Sequence, residues 1–533
     1  MEKLMLLGDE AFAQGALDAG VSGFYGYPGT PSTEIIEFVQ RSKQANADKI
    51  HHTWSSNEKT AYEAALGMSY AGKRAVVTMK HVGLNVAADP FMNSAMTGAN
   101  GGLLVVVADD PSMHSSQNEQ DSRFYGKFAM IPILEPSNQQ ECYDMAFVGF
   151  ELSEKYGIPV MLRLTTRLSH SRSGVVRRDR KPQNGISVHP NPVQYVLLPA
   201  VARKKYKTLI AAQESYEQEA EISVFNRFDL EAKDTSKGII ASGLAYNYLR
   251  EVYGEEPIPY PVIKISQYPL PMKQIHKLYD MCESLLILEE GMPVIEDILK
   301  GAAFKGSKPI HGRLDGSIER DGELNPNKVA KALGMEEKYG MDIPEVVAAR
   351  PPALCVGCPH IDSYRTLNEA LKDYKDARVF GDIGCYTLGF LPPYQAINSC
   401  VDMGASITMA KGAADSGIHP SIAVIGDSTF THSGMTGLMD CIYDKSNVVI
   451  IILDNSTTGM TGGQDYTAKG RLEDICLGLG VEKEHIRTFF PFIKNHEEMI
   501  QVYKEEIEYE GVSVIIPRRE CVQTLKRRNK KGK

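Results

Sequence analysis

The sequence predicts an α/β protein with two doubly wound parallel-sheet domains and a smaller α/β domain between them. Three observations carry this. Short runs of wholly apolar residues recur without polar alternation, as expected of strands covered on both faces. Stretches of helical period separate them, which is the pattern of parallel sheets with crossover helices. The rhythm is broken twice, once by a charged stretch after residue 175 and once by the Pro-rich segment AARPPALCVGCPH. At roughly 150 residues per domain, a chain of 533 residues is too long for one core.

In the first region, residues 1–180, the strand candidates are SGFYGYP, RAVVTMK, GGLLVVVADD and GIPVMLRLT. Between the first two lies NEKTAYEAALGMSYA, where Ala61, Ala64, Ala65 and Met68 recur at helical spacing. Residues 181–235 read as a connecting arm, including the charged amphipathic stretch ARKKYKTLIAAQESYEQEAE. The alternation resumes over 236–335 with KGIIASGLAYNYL, YPVIKISQYPLP and SLLILEEGMPVIEDIL. After the Pro-rich hinge, residues 345–533 supply ARVFGDIG, SIAVIGDS, NVVIIILDNS and VSVIIPRRE as strands of the last domain. Ligands of open parallel sheets sit beyond the carboxyl ends of the strands, so the residues following each apolar run are the candidates for function.

Composition narrows the classes. The chain is 43% hydrophobic and 23% charged with a net charge of −9, ordinary for a globular protein and unsuited to nucleic acid or a membrane surface. The basic tail LKRRNKKGK reads as a solvated terminus. The N-terminal run LMLLG is interrupted at Asp9 and Glu10, too soon for a signal peptide or a membrane span. A cytoplasmic location follows as the expectation. Nine cysteines, an odd number, read as thiols or metal ligands rather than a disulfide framework.

The most informative stretch is IGDSTFTHSG, directly after the buried run SIAVIG. Gly426, Asp427 and Ser428 are followed about two dozen residues later by Asn455, at the end of the next apolar run, VVIIILD. Two oxygen-bearing side chains at adjacent strand ends can converge on one small hard cation. Mg²⁺ takes oxygen ligands and commonly keeps phosphate oxygens in its shell. Gly426 would let the backbone approach closely, and the N-terminus of a helix near Gly434 would favour phosphate. The pattern resembles the thiamine diphosphate motif, on which Asp427, Asn455 and the Thr457 carbonyl would bind Mg²⁺. An esterase GDS block is the poorer match, because it belongs near an N-terminus and needs a late Asp-x-x-His. Thiamine chemistry also needs a carboxylate at N1′ of the aminopyrimidine, and Glu58 in WSSNEKTAYEAA opens a helix with Ser55 or Ser56 as a cap. Glu58 alone is equally a first-turn glutamate placed by the helix dipole.

With both elements in view, the chain resembles the thiamine diphosphate-dependent 2-oxoacid:ferredoxin oxidoreductases, and most specifically the indolepyruvate oxidoreductase alpha subunits. The shared stretches are GDEAFAQGALDAG, YPGTPSTE, TMKHVGLNVAADP, HSSQNEQDSR, LCVGCPH, GDIGCYTLG and GDSTFTHSG, spread over nearly the whole chain. The resemblance implies a multidomain thiamine diphosphate-binding fold. Residues 1–180 would be the pyrimidine-binding domain, 236–335 a transketolase C-terminal-like domain and 345–533 the diphosphate-binding domain. It further implies Glu58 as the cofactor-activating glutamate, Thr30 as a substrate contact and Arg123 as the carboxylate-binding arginine. His81 and Asn85 would line the same pocket, and Gly384 and Cys385 would stand at the cofactor. Arg123 is equally ordinary as an exposed arginine in DSRFYGK.

Cys355 and Cys358 form C-x-x-C, Cys385 follows, and Cys521 ends the last strand-like run. Four such thiolates suit the single [4Fe-4S] cluster that the resemblance implies. A Cys₃His zinc site using His360, or unligated buried thiols, are the alternatives. The relatives usually carry a C-terminal ferredoxin-like repeat of C-x-x-C-x-x-C-x-x-x-C-P, and no such repeat occurs here. Electrons are therefore expected to leave through the single cluster or a partner's redox centre. The expected reaction is oxidative decarboxylation of an aryl 2-oxoacid to its acyl-CoA, with ferredoxin or another acceptor and a smaller beta subunit in a hetero-oligomer. A non-oxidative thiamine-dependent decarboxylase or carboligase, another 2-oxoacid oxidoreductase, and a silent scaffold subunit are the rivals.

Overall fold

The structure is a computed structural model that describes residues 3–531 except 192, 304, 305, 307, 339 and 341. The end of the basic tail therefore lies outside the described residues. The chain forms two compact units: one runs to residue 342 without Trp54–Asn57, and the other joins Trp54–Asn57 to the residues from Ile343 onward.

The first unit holds a seven-stranded sheet, a five-stranded sheet and a two-stranded pair. In the seven-stranded sheet the order is Gln267–Tyr268, Ile133–Leu134, Val160–Thr165, Leu103–Asp109, Ala75–Lys80, Gly23–Gly26 and His51–Trp54. Its central strands are parallel, with Tyr25 opposite Val77, Val77 opposite Val105, and Val105 opposite Met161. AVVTMK and LLVVVAD are buried at every position, because helices cover both faces and no residue can point to water. The chain passes from Gly23–Gly26 to the edge strand His51–Trp54, then returns to the other side at Ala75–Lys80. The strand order thus reverses between Gly23–Gly26 and Ala75–Lys80, the position where ligands of such sheets bind.

The five-stranded sheet has parallel strands Ile310–His311, Leu285–Leu288, Gly238–Ser242 and Val262–Ile265, with Arg227–Asp229 antiparallel at its edge. Lys3–Leu7 pairs separately with Arg172–Val176. The charged stretch after residue 198 is one helix, Pro199–Ile222, burying Leu209, Tyr216 and Ala220.

The helix Glu58–Tyr70 buries Ala61, Tyr62, Ala65 and Ser69, whereas Ala64 faces solvent. This differs from the apolar stripe read from sequence. Tyr62 and Ser69 take part because each has a partner inside: Tyr62 OH meets Ser94 Oγ at 2.6 Å, and Ser69 Oγ donates to the Gly101 carbonyl at 2.5 Å.

Two wholly buried arginines tie the two sheets of this unit together. Arg163 Nε donates to Asp109 Oδ2 and Nη1 to Glu135 Oε1, both at 2.6 Å. Arg123 grips Asp121 through Nε and Nη2 at 2.9 and 2.6 Å. It also reaches Glu289 at 3.1 Å and the carbonyls of Glu290 and Met292 at 3.1 and 2.9 Å. Burial opposes the charge on Asp121, yet Arg123 and Arg163 outweigh it and hold its carboxyl below the usual range. Burial prevails at Glu289, pushed up to about 7 despite Arg123.

The second unit carries a six-stranded, wholly parallel sheet ordered Ser399–Cys400, Arg378–Gly381, Ser421–Gly426, Val448–Leu453, Val512–Pro517 and Ile486–Phe489. Its order also reverses between Arg378–Gly381 and Ser421–Gly426. Cys521 follows the last long strand rather than ending it, and the tail from Val522 to Lys531 is a helix.

Removing Arg163 leaves three buried carboxylates short of a partner. Arg163→Met is expected to cost about 3–5 kcal/mol of stability, read from urea denaturation followed by circular dichroism.

Candidate functional site

Each unit presents one constellation at the carboxyl edge of its sheet. In the second unit the register places Gly426 opposite Leu453, so Asp427 and Asp454 leave neighbouring strands side by side and Asn455 follows one residue later. Asp427 accepts hydrogen bonds from the amides of Ser428 and Ser456, both at 2.8 Å. Asn455 Oδ1 accepts from Thr457 N at 3.2 Å, and Thr458 Oγ1 donates to Ser428 Oγ at 3.0 Å. The predicted Asp427, Ser428, Asn455 and Thr457 are thus brought into one hydrogen-bonded group.

Burial drives the Asp427 carboxyl well above its ordinary range, and Asp454 beside it adds to the rise. Asp454 was not singled out in the sequence, although it directly precedes Asn455. It is held by Arg518 Nε at 2.6 Å. A buried acid next to a second acid, accepting from the amides of Ser428 and Ser456, is a donor set that fits a divalent cation.

Two expectations are corrected here. The helix after the strand begins at Asp427, passes through a wider turn over Phe430–Gly434 and continues as Met435–Tyr443. Its N-terminal turn is therefore at Asp427–Thr429, not near Gly434, because the strand feeds the helix without a loop. Gly426 is required by a side chain: a Cβ there would stand 2.5 Å from Tyr386 Cε1. Tyr386 is fixed in turn by its bond to the Ile383 carbonyl at 3.0 Å.

Gly384 and Cys385 lie across the strand reversal from Asp427. Cys385 Sγ stands 3.5 Å from His360 Nε2 and 4.0 Å from Asn455 Nδ2, and the latter two nitrogens are 3.3 Å apart. Burial lowers the His360 imidazole to about 4, leaving it neutral. Cys521 N donates to the Asn455 carbonyl at 3.0 Å, and Cys358 N to the Cys355 carbonyl at 2.9 Å. Burial pushes the Cys385 thiol up to about 12, with Cys358, Cys521, Asp427 and Cys355 adding to it. Cys358 is pushed to about 11 by burial, with Cys355 and Cys521 adding. The four cysteines thus share one neighbourhood, and all nine cysteines are free. Among the described residues no three His, Cys, Asp or Glu side chains are gathered closely enough for one metal ion, so the Cys₃His zinc arrangement is not formed. A four-thiol donor set around a larger inorganic core remains chemically suited to these positions.

In the first unit, Thr30 follows Gly23–Gly26 and accepts at its carbonyl from Ser115 Oγ at 3.4 Å. Glu58 opens its helix and is 5% exposed. The missing side chain of Gly83 makes room for it, since a Cβ there would lie 2.6 Å from Glu58 Oε1. His81 directly follows Ala75–Lys80 and is buried; burial lowers its imidazole below the ordinary range, against the pull of Asp109. Asn85 accepts from Tyr125 OH at 2.8 Å.

Arg123 is the third correction. It is neither exposed nor free for a substrate, because Asp121, Glu289 and two carbonyls already engage its guanidinium in the buried clasp. The sequence signal failed because an arginine two residues after an aspartate reads the same whether the pair is inside or outside.

Comparison with known proteins gives the class. Residues 14–218 match the pyruvate flavodoxin/ferredoxin oxidoreductase thiamine diphosphate-binding family, and residues 382–516 match the C-terminal binding domain of thiamine pyrophosphate enzymes. A solved 2-oxoglutarate:ferredoxin oxidoreductase from Magnetococcus marinus shares the fold at TM-score 0.50 and 17% identity, over 62% of this chain and 65% of that one. The matched domains and the fold place the chain among the thiamine diphosphate-dependent 2-oxoacid oxidoreductases. Indolepyruvate oxidoreductase subunit IorA of Archaeoglobus fulgidus is 40% identical over all of this chain and 89% of its own length. That of Pyrococcus abyssi is 39% identical over 98% of this chain and 86% of its own. The chain belongs to the indolepyruvate oxidoreductase IorA family. Among the described residues no helix is long and apolar enough to cross a membrane.

Gly426→Ala is expected to displace the Tyr386 ring and to cost about 1–3 kcal/mol, measured as a lowered denaturation midpoint of the purified chain.

Proposed function

We propose that the chain serves oxidative decarboxylation of an aryl 2-oxoacid of the indolepyruvate or phenylpyruvate type, giving the acyl-CoA and passing electrons to ferredoxin or another acceptor. The arrangement of Asp427 and Asn455 on neighbouring strand ends, with the Asp427 carboxylate buried beside Asp454, supports this reading most directly. The names of its relatives support the substrate class. Residues 1–180 act as the pyrimidine-binding domain, 181–235 as an arm, 236–335 as the transketolase C-terminal-like domain and 345–533 as the diphosphate-binding domain. The chain works in the cytoplasm, in a hetero-oligomer with a smaller beta subunit.

Thiamine diphosphate supplies, when bound, a nucleophilic carbon able to add to a keto group. Asp427, Asn455 and the Thr457 carbonyl would hold Mg²⁺, whose charge would offset that of the buried carboxylate and of a diphosphate. Gly426, Ser428 and Gly384 shape the surrounding backbone. Glu58 holds a proton at N1′ of the aminopyrimidine, an act that needs a carboxyl sheltered from water, as this one is. Thr30 and His81 contact the oxoacid, His81 as a neutral imidazole. Cys355, Cys358, Cys385 and Cys521 would hold one [4Fe-4S] cluster, which would supply a one-electron acceptor.

Glu58→Gln is expected to retain thiamine diphosphate but to slow deuterium exchange at its thiazolium C2 by about 10²–10⁴-fold, followed by NMR. Asp427→Asn is expected to fold and to lose Mg²⁺-dependent thiamine diphosphate binding in calorimetry. Unchanged exchange in the first and unchanged binding in the second would overturn the assignment. Protein purified without oxygen is expected to carry about four iron and four sulfide per chain, lost in Cys385→Ala. Their absence from the wild type would remove the cluster from this chain and leave either a partner that carries the electrons or a decarboxylase that carries none.

A further inference from the structure

A 2-oxoacid bears a carboxylate next to its reacting carbon, and the arginine expected to receive it is committed elsewhere. Two other cations stand just after the strands of the first sheet. Arg167 follows Val160–Thr165 but is held by both carboxylate oxygens of Glu323, at 2.8 and 2.5 Å. Lys80 ends the strand Ala75–Lys80, at the reversal of strand order and beside the strand that leads to Thr30.

We infer that Lys80 is the residue that receives the carboxylate of the 2-oxoacid, an inference that rests on the proposed thiamine-dependent reaction. Its side chain passes under the loop before Thr30: a Cβ on Gly29 would lie 3.1 Å from Lys80 Cβ and 3.7 Å from its Cδ. Its Nζ donates to the Ser115 carbonyl at 2.7 Å, and Ser115 Oγ donates to the Thr30 carbonyl at 3.4 Å. Lys80, Ser115 and Thr30 therefore form one connected group.

An ammonium has three N–H donors. Among the described residues Lys80 uses one, on a neutral carbonyl, although it is only 8% exposed. Burial lowers it to about 8, opposed by Asp110. The carboxylate of Asp110 is itself engaged by Ser115 N at 2.8 Å, and by Ser116 Oγ and Thr166 Oγ1, each at 2.6 Å. It attracts Lys80 from a distance without satisfying its donors. A buried ammonium without an ion-pair partner is costly to maintain, and an incoming carboxylate offsets that cost. His81, the next residue, is kept neutral by burial and does not compete for the anion.

The test uses the holoenzyme with its partner subunit. Lys80→Met is expected to raise KM for the aryl 2-oxoacid by about thirtyfold or more, and to erase the preference, among non-reacting competitive inhibitors, for an arylacetate over its methyl ester. Lys80→Arg is expected to restore much of that preference. Thiamine diphosphate affinity and C2 deuterium exchange are expected to stay at wild-type values in both. An unchanged KM and acid-to-ester ratio in Lys80→Met would overturn the inference, as would loss of cofactor binding in step with substrate binding. If Lys80→Met does not fold, wild-type inhibition by an arylacetate and its primary amide reads the same contact, and equal potency of the two would overturn it. Absence of C2 exchange in the wild type would instead sink the thiamine reading itself.

Discussion

A parallel sheet covered by helices on both faces can meet a ligand only at its edges, and this constraint organises both units. The strands around Val77 and Ile451 are buried throughout, so all but their last residues contribute rigidity and position but no chemistry. Function is displaced to the first residues after each strand, where the backbone leaves the ladder and its polar groups need new partners. Where the strand order reverses, two successive loops turn away from each other and leave a crevice. Thr30 and Lys80 flank one such reversal, and Cys385 and Asp427 the other.

Buried charge is handled in opposite ways at the two places. In the first unit Arg123 and Arg163 are enclosed by Asp109, Asp121, Glu135 and Glu289, and nearly every donor has an acceptor. Such a network holds two sheets in a fixed relation but offers nothing to a ligand. Asp427 and Asp454 lie together with one arginine bonded to Asp454, and Lys80 lies buried on a single carbonyl. Incomplete compensation is tolerated where an incoming ion completes it. This contrast separates the structural arginine from the lysine, although both lie near the same strand ends.

The second unit couples its cysteines to the same crevice through short links. Asn455 joins them: its side chain stands near His360 and Cys385, and its carbonyl accepts from Cys521 N. Tyr386, next to Cys385, fills the space that Gly426 vacates. The cysteine segment is therefore packed against the residues that flank Asp427.

Much of this was legible in the sequence, because apolar runs such as AVVTMK and VVIIIL can only be strands buried on both faces, and GDS and Asn455 close two of them. Parallel pairing then brings those ends together without further information. The sequence by itself determined the alternating α/β plan, the family and the candidate residues at strand ends. It did not show the edge strands His51–Trp54 and Ile486–Phe489, which are short and half polar because one side faces water. Tertiary structure alone decided which face of Glu58–Tyr70 is buried, why Gly426 has no side chain, and which cation is free. Arg123 and Lys80 are both strand-end or loop cations in the sequence. Only the carboxylates brought in from distant segments, Glu135 and Glu289 to the arginine and none in contact with the lysine among the described residues, distinguish them, and such long-range neighbours leave no local pattern to read.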